Sequence, residues 1–316
     1  MPIPLIIDTD PGLDDAIAIA LALGSPEVDV IGISTVGGNT ELANTTRNAL
    51  RLLEFLGRTD IPVASGHEEP YSRQRQMTGN PPVHGEDGFA SVDLPEPTTS
   101  VVSTDSPAFM ADLIRNSPEP VTLVAIGPLT NIAHMVERFP EVVPMVGRFI
   151  IMGGGAKKGN VTPVAEFNVW HDPEAAKIVF ASGLKTVMVG LDITHSVKTS
   201  EQEFEWMASH GKFGEVFQQM MKYYTDFYSQ FYGERITHQH DAIAMAEAIW
   251  PGIMVLEETT IDVETKGEIT DGMTVVDQRD YKKRGRNAFV AWEIDGDDFH
   301  NRLRAALSTL AKSFSS

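Results

Sequence analysis

The 316-residue chain contains no cysteine. This absence excludes disulfide bonds, zinc or iron–sulfur sites with thiolate ligands, and a thiol nucleophile. Any metal ion must therefore be held by oxygen or imidazole ligands. Basic residues are also scarce, since 25 lysines and arginines stand against 44 aspartates and glutamates for a formal net charge of −19. A surface of this charge repels phosphate backbones, so we expect no nucleic-acid partner.

Long apolar runs are absent as well. Residues 1–7 carry no lysine or arginine and only a short apolar run, so neither a signal peptide nor a membrane anchor is predicted there. We therefore expect a cytoplasmic protein without a membrane partner. Because no linker, repeat or low-complexity tract marks a boundary, we predict a single domain over residues 1–316.

Strand-like and helix-like patterns alternate through the first 190 residues. Short apolar runs rich in β-branched residues predict strands at residues 5–7, 28–33, 121–126, 149–152 and 186–189. Helical periodicity between them predicts helices at residues 14–23, 42–56, 107–114, 129–138 and 173–181. This alternation is typical of an α/β fold with a mainly parallel, Rossmann-like sheet flanked by helices. Ligands of such sheets bind at the carboxyl ends of the strands.

The pattern changes after residue 191. Helical patterns occupy residues 200–208, 213–232, 241–248 and 299–314, and strand patterns occupy residues 260–264, 273–276 and 288–294. Earlier in the chain, residues 65–101 contain several glycines and prolines but little periodicity. We predict a long loop there, near the ends of the strands.

Four carboxylates lie within eight positions where the first predicted strand ends, at Asp8, Asp10, Asp14 and Asp15. Turn formation and helix capping account for one or two of them, because Asp-Pro-Gly forms turns and acidic side chains stabilise a helix N-terminus. Four carboxylates at one strand end repel one another unless some are protonated or a cation lies among them. We therefore predict a site for a hard cation, calcium or magnesium.

Two later segments carry groups suited to a ligand. His240 and Asp241 begin a predicted helix, and Asp241 either completes the cation site or belongs to an ordinary helix cap. Residues 153–155 are three glycines with no lysine-serine pair after them, which favours a tight turn or close backbone approach over a phosphate cradle. Polar side chains beyond this turn suit sugar hydroxyls as well as a solvated loop. They are Asn160, Glu166 and Asn168.

Together these segments resemble the inosine-uridine-preferring nucleoside hydrolases. The run Asp8-Thr9-Asp10-Pro11-Gly12-Leu13-Asp14-Asp15-Ala16 is similar to the signature of that family. Later segments follow in the family's order over nearly the whole chain, namely Gly37-Gly38-Asn39, His84-Gly85-Glu86, Gly127-Pro128-Leu129-Thr130-Asn131, Met152-Gly153-Gly154-Gly155, Ala165-Glu166-Phe167-Asn168, Asp172-Pro173-Glu174-Ala175-Ala176, Gly190-Leu191-Asp192-Ile193-Thr194-His195 and His240-Asp241. The resemblance implies a nucleoside hydrolase fold, hydrolysis of a ribonucleoside to ribose and free base, and a homodimer or homotetramer.

The resemblance also implies roles for individual residues. A calcium ion would be held by the carboxylates of Asp10, Asp15 and Asp241 and by the backbone carbonyl of Ile126. Asp10 would be the general base. The residues that would bind the ribose hydroxyls are Asp14, Asn39, Asn160, Glu166 and Asn168.

Elementary chemistry supports these roles. Cleavage of an N-glycosidic bond builds positive charge on the sugar, so nearby carboxylates stabilise the transition state more than the neutral substrate. Calcium can hold the vicinal ribose hydroxyls and a water molecule, from which Asp10 takes a proton. The departing base gains negative charge and benefits from a proton donor. His240 is our first choice for that donor and His84 the second. A tyrosine, or activation of the leaving group without one dominant acid, stays open as an alternative.

The predicted helix over residues 213–232 carries an aromatic stripe. Tyr224 and Tyr228 are one turn apart and can face the same pocket, although such a stripe also serves core or subunit contacts. We expect Tyr228 to contact substrate. If this helix and the loop over residues 65–101 close together, they exclude water and select the base. We interpret His195 as a structural residue outside the reaction.

The combination of His84 and His240 is similar to the family branch that accepts pyrimidine nucleosides, so we expect uridine and cytidine, with inosine as a further candidate. Two alternatives stay open. An apolar strand ending in Asp8-Thr9-Asp10 is similar to the start of a haloacid-dehalogenase-type phosphatase, although Gly12 stands where that chemistry needs threonine or valine. A calcium-dependent nucleoside or sugar binder without turnover would use the same pocket.

Overall fold

The structure, a computed structural model, describes residues 1–73, 83–279 and 285–314. Its strands are, in chain order, β1 (Ile3–Thr9), β2 (Val28–Thr35), β3 (Val63–Ser65), β4 (Val121–Ala125), β5 (Val146–Met152), β6 (Thr186–Val189), β7 (Thr199–Ser200), β8 (Ile236–Thr237), β9 (Met254–Thr259), β10 (Ile261–Val263), β11 (Thr274–Val276) and β12 (Ala288–Ile294). Its α-helices are α1 (Leu13–Leu23), α2 (Leu42–Phe55), α3 (Ser106–Asn116), α4 (Thr130–Arg138), α5 (Phe167–His171), α6 (Pro173–Ala181), α7 (Leu191–Thr194), α8 (Gly211–Tyr232), α9 (His240–Ile249) and α10 (Gly296–Phe314). Two segments, Pro140–Met145 and Glu201–His210, are 3₁₀ helices.

Eight of the strands form the central sheet, in the order β3-β2-β1-β4-β5-β6-β12-β9. Neighbouring strands are parallel except at the edge, where β9 runs antiparallel to β12. Two small antiparallel pairs, β7 with β8 and β10 with β11, lie outside this sheet. The predicted α/β class, with a mainly parallel sheet flanked by helices, is confirmed. Among the described residues, no helix combines the length and the apolar content that a membrane span requires.

The strand that carries the acidic run lies in the middle of the sheet. β1 pairs with β2 on one side and with β4 on the other, and its residues Leu5, Ile6 and Ile7 are fully buried. The strand order reverses here, because β2 and β3 continue in one direction and β4 to β6 in the other. Such a reversal leaves a crevice beyond the carboxyl ends of the two central strands. The residues that follow β1 and β4 therefore meet at one place.

Helix α9 brings a distant part of the chain to this crevice. Its residues are buried along the whole helix, and it packs against α1. Both helices alternate alanine with larger apolar residues, and small side chains allow two helix axes to approach closely. The first turn of α9, with His240 and Asp241, consequently lies beside the first turn of α1.

Several elements differ from the sequence predictions. β9 was not predicted because its sequence, Met-Val-Leu-Glu-Glu-Thr, has two glutamates on an exposed edge. The helix predicted at residues 200–208 is a 3₁₀ helix, in which Phe204 and Met207 are both buried; their spacing of three matches the three residues per turn of that helix. The short helices α5 and α7 were also missed. Within the loop predicted at residues 65–101, residues 74–82 lie outside the described part of the chain.

Candidate active site

A cavity of about 590 Å³ lies at the carboxyl ends of the central strands. Most of the residues predicted for the site contribute to its wall, which contains Asp14, Asn39, His84, Ile126, Asn160, Glu166, Asn168, Tyr228, His240 and Asp241. The two remaining predicted residues, Asp10 and Asp15, are buried next to the wall. Asn39 donates its backbone N–H to Oδ2 of Asp10 at 2.7 Å and its side-chain amide to Oδ2 of Asp15 at 3.2 Å. The structure thus brings all the predicted residues together.

Three carboxylates form a compact cluster between α1 and α9. One oxygen each from Asp14, Asp15 and Asp241 lies within 4.8 Å of the others, and all three residues are buried. Burial, followed by the charges of Asp14, Asp15 and Asp10, raises the pKa of Asp241 well above its ordinary value. Burial and the charge of Asp15 raise the pKa of Asp14 to about 8. Carboxylates crowded in this way favour a cation among them.

Asp10 lies next to this cluster, and one oxygen of its carboxylate accepts no hydrogen bond from the described residues. Its Oδ1 is buried without a hydrogen-bond partner among the described residues. The surrounding backbone leaves no space for side chains, because a Cβ at Gly38 would lie 2.1 Å from Oδ2 of Asp10 and a Cβ at Gly127 would lie 2.7 Å from Oδ1. Burial, with the charge of Asp15 as the second cause, raises the pKa of Asp10 well above its ordinary value.

Helix capping accounts for Asp15 but not for the whole cluster. Asp15 is the third residue of α1, and its Oδ2 accepts the N–H of Gly12 at 2.9 Å, which caps the helix. Its Oδ1 accepts the hydroxyl of Thr9 at 2.5 Å. At the start of α9, by contrast, the N-cap residue is Gln239, without a side-chain capping bond. Asp241 therefore reaches the cluster through the packing of α9 on α1.

The peptide after β4 is held by an amide from α5. Asn168 donates its side-chain NH₂ to the carbonyl oxygen of Ile126 at 2.9 Å and to that of Met152 at 3.1 Å. Both hydrogens of this amide are used in these bonds, so its Oδ1 is the atom that can meet a ligand. Asn160 supports the same segment, because its Oδ1 accepts the N–H of Phe167 at 3.0 Å.

Glu166 is a buried carboxylate held by backbone donors. Its Oε2 accepts the N–H groups of Gly154 at 2.8 Å and Val169 at 3.2 Å, and its Oε1 accepts that of Asn168 at 2.9 Å. Gly154, part of the triple glycine, has a φ of +74°, and a Cβ there would lie 2.7 Å from Cγ2 of Thr274. Backbone conformation and close packing therefore explain this glycine without a phosphate. Burial raises the pKa of Glu166 to about 7 despite these hydrogen bonds.

His84 is held at the N-terminus of α1. The backbone N–H of Leu13 donates to its Nδ1 at 3.1 Å, so the ring is an acceptor at Nδ1 and carries its hydrogen on Nε2. Burial lowers the pKa of His84 to about 4, which keeps the ring neutral. His84 is therefore a hydrogen-bond donor through Nε2 on the wall of the cavity.

His240 lies in a cluster of imidazole rings. Its Nδ1 is 2.8 Å from the hydroxyl oxygen of Thr194, and its ring centroid is 5.3 Å from that of His195 and 5.8 Å from that of His238. Burial, together with these neighbouring histidines, lowers the pKa of His240 well below its ordinary value. His195 was interpreted as structural, yet its side chain lines the cavity beside His240.

One side of the cavity is aromatic. Tyr224 and Tyr228 on α8 both line it, with ring centroids 5.1 Å apart, and Tyr224 is also 5.6 Å from His84. Sequence reasoning missed several further members of the wall, because no local pattern distinguishes them from core residues. These are Val83, Val161, Phe167, His195, Phe227 and Phe231.

This geometry agrees with what comparison with known proteins finds. The family model described as inosine-uridine preferring nucleoside hydrolase matches residues 5–301. The pyrimidine-specific ribonucleoside hydrolase RihA of Citrobacter koseri is 41% identical, over 98% of this chain and 100% of its own. A purine-preferring ribonucleoside hydrolase from Gardnerella vaginalis has a similar structure, with a TM-score of 0.92 and 30% identity over 98% of this chain and 99% of that one. A plant nucleoside hydrolase gives a TM-score of 0.87 and 34% identity over 97% and 99%.

The matched region contains both the acidic run at the end of β1 and the start of α9, two segments distant in the sequence that meet at the cavity. The chain therefore belongs to the inosine-uridine preferring nucleoside hydrolases, enzymes that hydrolyse the N-glycosidic bond of ribonucleosides.

Proposed function

We propose that this enzyme hydrolyses pyrimidine ribonucleosides, uridine and cytidine, with inosine as a slower substrate, and that it requires calcium. The name of the RihA relative, which is pyrimidine-specific and 41% identical, supports this preference over that of the purine-preferring relative at 30%. The cavity wall is also consistent with it. His84, His240, Tyr224 and Tyr228 offer hydrogen-bonding groups that suit the carbonyl oxygens of a pyrimidine ring.

Two carboxylates of the acidic cluster, Asp15 and Asp241, together with Asp10 next to it, fit calcium, and Asp14 is left for the ribose hydroxyls. We assign as its ligands the carboxylates of Asp10, Asp15 and Asp241 and the carbonyl of Ile126, an all-oxygen set of the kind that calcium binds. Two observations support the assignment, namely the unpartnered Oδ1 of Asp10 and the raised pKa of Asp241. A cation would satisfy the first and favour the ionised form of the second. When bound, calcium supplies positive charge that attracts vicinal hydroxyl groups and a water molecule to this end of the cavity.

Asp10 acts in this proposal as the general base. The N–H of Asn39 holds Oδ2 of Asp10 at 2.7 Å. Oδ1 has two lone pairs, so one can face the cation while the other accepts a proton from the attacking water. The tight backbone at Gly38 and Gly127 keeps the carboxylate in one orientation. A base fixed in this way needs little reorganisation when the proton is transferred.

The ribose lies in this proposal between the acidic cluster and the segment around α5. Its hydroxyl groups are bound by side chains that line the same wall of the cavity, namely Asp14, Asn39, Asn160, Glu166 and Asn168. Positive charge develops on the sugar as the glycosidic bond breaks, and the buried carboxylates beside it stabilise that charge. The apolar side chains nearby exclude water and strengthen this effect.

The leaving base faces the histidine and tyrosine side of the cavity. His240 is the proton donor to the departing base, through Nε2, because its Nδ1 is already paired with Thr194. The donor is the protonated ring, which passes its Nε2 proton to the base and becomes neutral with its remaining hydrogen on Nδ1. His84 assists as a neutral donor through its own Nε2, since its Nδ1 accepts the N–H of Leu13. Tyr228 contacts the base from α8. Such donors stabilise negative charge on the leaving group.

The observation that carries this proposal is the convergence of buried carboxylates from α1 and α9, with Asp10 next to them, beside one cavity. The test is to incubate purified protein with uridine, cytidine and inosine and to measure the ribose released. Asp10→Asn should reduce turnover by several orders of magnitude, and near-normal turnover would refute its role as base. A generic aryl phosphate serves as the control for phosphatase activity, and binding of nucleoside without ribose release would leave only a binding protein.

Further features of the proposal concern the whole protein. We infer that residues 1–316 form one domain, because strands from both ends of the chain lie in the central sheet. The family resemblance supports a homodimer or homotetramer. Light scattering on the purified protein measures this directly, and a monomeric mass would contradict it.

A further inference from the structure

Residues 190–195 form a motif of the sequence to which the mechanism above gives no role. In the structure they contain α7, a single helical turn, whose last residue, Thr194, is fully buried. The hydroxyl oxygen of Thr194 lies 2.8 Å from Nδ1 of His240. We infer that Thr194 is a positioning residue, whose hydroxyl holds the His240 ring so that Nε2, carrying its hydrogen, faces the leaving base.

The hydrogen bond selects one orientation of the ring. Rotation of His240 by about 180° about its Cβ–Cγ bond would exchange Nδ1 for a carbon atom, and the Thr194 hydroxyl would then lose its partner. In the protonated ring that acts as donor, Nδ1–H donates to the Thr194 hydroxyl oxygen, and the proton on Nε2 is the one that can pass to the base. His195 and His238 contact the ring at centroid distances of 5.3 and 5.8 Å. These ring contacts fill the space around His240, and the Thr194 hydroxyl determines that Nε2, and not the carbon Cε1, faces the cavity.

The turn that carries this hydroxyl is itself held in place. Leu191 donates its N–H to the carbonyl oxygen of Gly154 at 2.9 Å, and Asp192 accepts the N–H of Ala156 at 2.5 Å. Gly154 in turn donates to Glu166 at 2.8 Å. The same helical turn therefore connects the leaving-group side of the cavity with the ribose side. A β-branched side chain on such a turn has little rotational freedom, which suits a positioning role.

This inference rests on the proposed role of His240 as proton donor, and the test uses that role. Thr194→Val keeps the shape of the side chain and removes the hydrogen bond, whereas Thr194→Ser keeps the hydroxyl. For uridine, Thr194→Val should reduce kcat/KM by about tenfold to a hundredfold, a part of the effect of a general acid. For p-nitrophenyl riboside, whose leaving group needs no proton, the change should stay within about threefold. Thr194→Ser should restore most of the activity on uridine.

A matched control comes from a second pair of the same kind. Thr199 is fully buried and its hydroxyl oxygen lies 3.0 Å from Nε2 of His300, and neither residue is part of the described cavity wall. Thr199→Val should therefore leave the ratio of the two substrates unchanged. Unfolding temperatures of all variants are measured alongside. If Thr194→Val is unfolded at the assay temperature, Thr194→Ala replaces it with the same expectations.

The variant His240→Ala distinguishes a failure of the proton-donor role of His240 from a failure of the positioning role of Thr194. If it slows uridine and p-nitrophenyl riboside equally, His240 is not the proton donor and the proposed function fails at that point. If His240→Ala is selective for uridine but Thr194→Val slows both substrates equally or neither, the positioning role of Thr194 is overturned while the role of His240 stands.

Discussion

Replacing Glu166 with glutamine tests whether burial of this carboxyl group in the cavity wall raises its pKa and makes the stability of the protein depend on pH. The side chain is 2% exposed and accepts backbone N–H groups from Gly154, Asn168 and Val169. These hydrogen bonds favour the ionised form, but burial outweighs them and raises the pKa from 4.5 to about 7. Glutamine has nearly the same shape and does not titrate. The change with pH in the stability difference between Glu166→Gln and the unsubstituted protein therefore reports the ionisation of this one carboxyl group.

The direction in which stability changes with pH follows from the linkage between proton binding and folding. Because the pKa is higher in the folded state, Glu166 contributes stability below pH 4.5 that is lost as the pH rises through about 7. The interval from 4.5 to about 7 corresponds to about 3 kcal/mol, at about 1.4 kcal/mol for each tenfold change in proton affinity. The free energy of unfolding of Glu166→Gln, relative to the unsubstituted protein, should therefore increase by about 3 kcal/mol between about pH 4.5 and about pH 8.

Urea denaturation at both pH values measures this difference, with excess chelator present so that cation binding does not contribute. Glu54→Gln is the control, because its effect on stability should change with pH in the opposite direction. Glu54 accepts hydrogen bonds from the backbone and hydroxyl groups of Thr98 and Thr99, which lower its pKa, so its contribution to stability is lost as the pH falls. A stability difference for Glu166→Gln that does not change with pH would refute the reasoning.

Two further substitutions test the packing around the site. Gly38→Ala should lower turnover at least about tenfold, because the added Cβ would lie 2.1 Å from Oδ2 of Asp10. Ribose release measures the turnover, and circular dichroism checks that the variant is folded. Normal turnover in the folded variant would contradict the prediction. Arg148→Met should lower the free energy of unfolding by about 3–5 kcal/mol, since it removes the cation paired at 2.6 Å with the fully buried carboxylate of Glu247. Denaturant unfolding measures the loss, and adding Glu247→Gln should recover most of it.

Local signals in the sequence are enough to predict that three carboxylates of the candidate site lie close together. The apolar strand β1, the Asp-Pro-Gly turn and the first residues of α1 follow one another within 15 positions, so their order alone places Asp10, Asp14 and Asp15 at one strand end. The alternation of strands and helices then predicts a parallel sheet, and such sheets bind ligands at that edge. These features are independent of how distant segments pack.

The parts that the sequence did not reveal depend on contacts between distant segments. The bond from Leu13 to His84 spans 71 positions, and the contact between Thr194 and His240 spans 46. Neither residue pair carries a periodic signal, so the neutral state of His84 and the role of α7 become visible only in the folded chain. The place of Asp241 also depends on contacts between distant segments, because the sequence alone allows both helix capping and cation binding for this residue. The packing of α9 on α1 places it in the acidic cluster.

Calorimetric titration of chelator-treated protein with calcium, followed by measurement of ribose release from uridine, tests the central claim most directly. The account predicts one calcium ion bound per chain, no ribose release without it, full release when it is restored, and loss of both binding and release in Asp241→Asn. Full ribose release from chelated protein that contains no divalent cation would contradict the account.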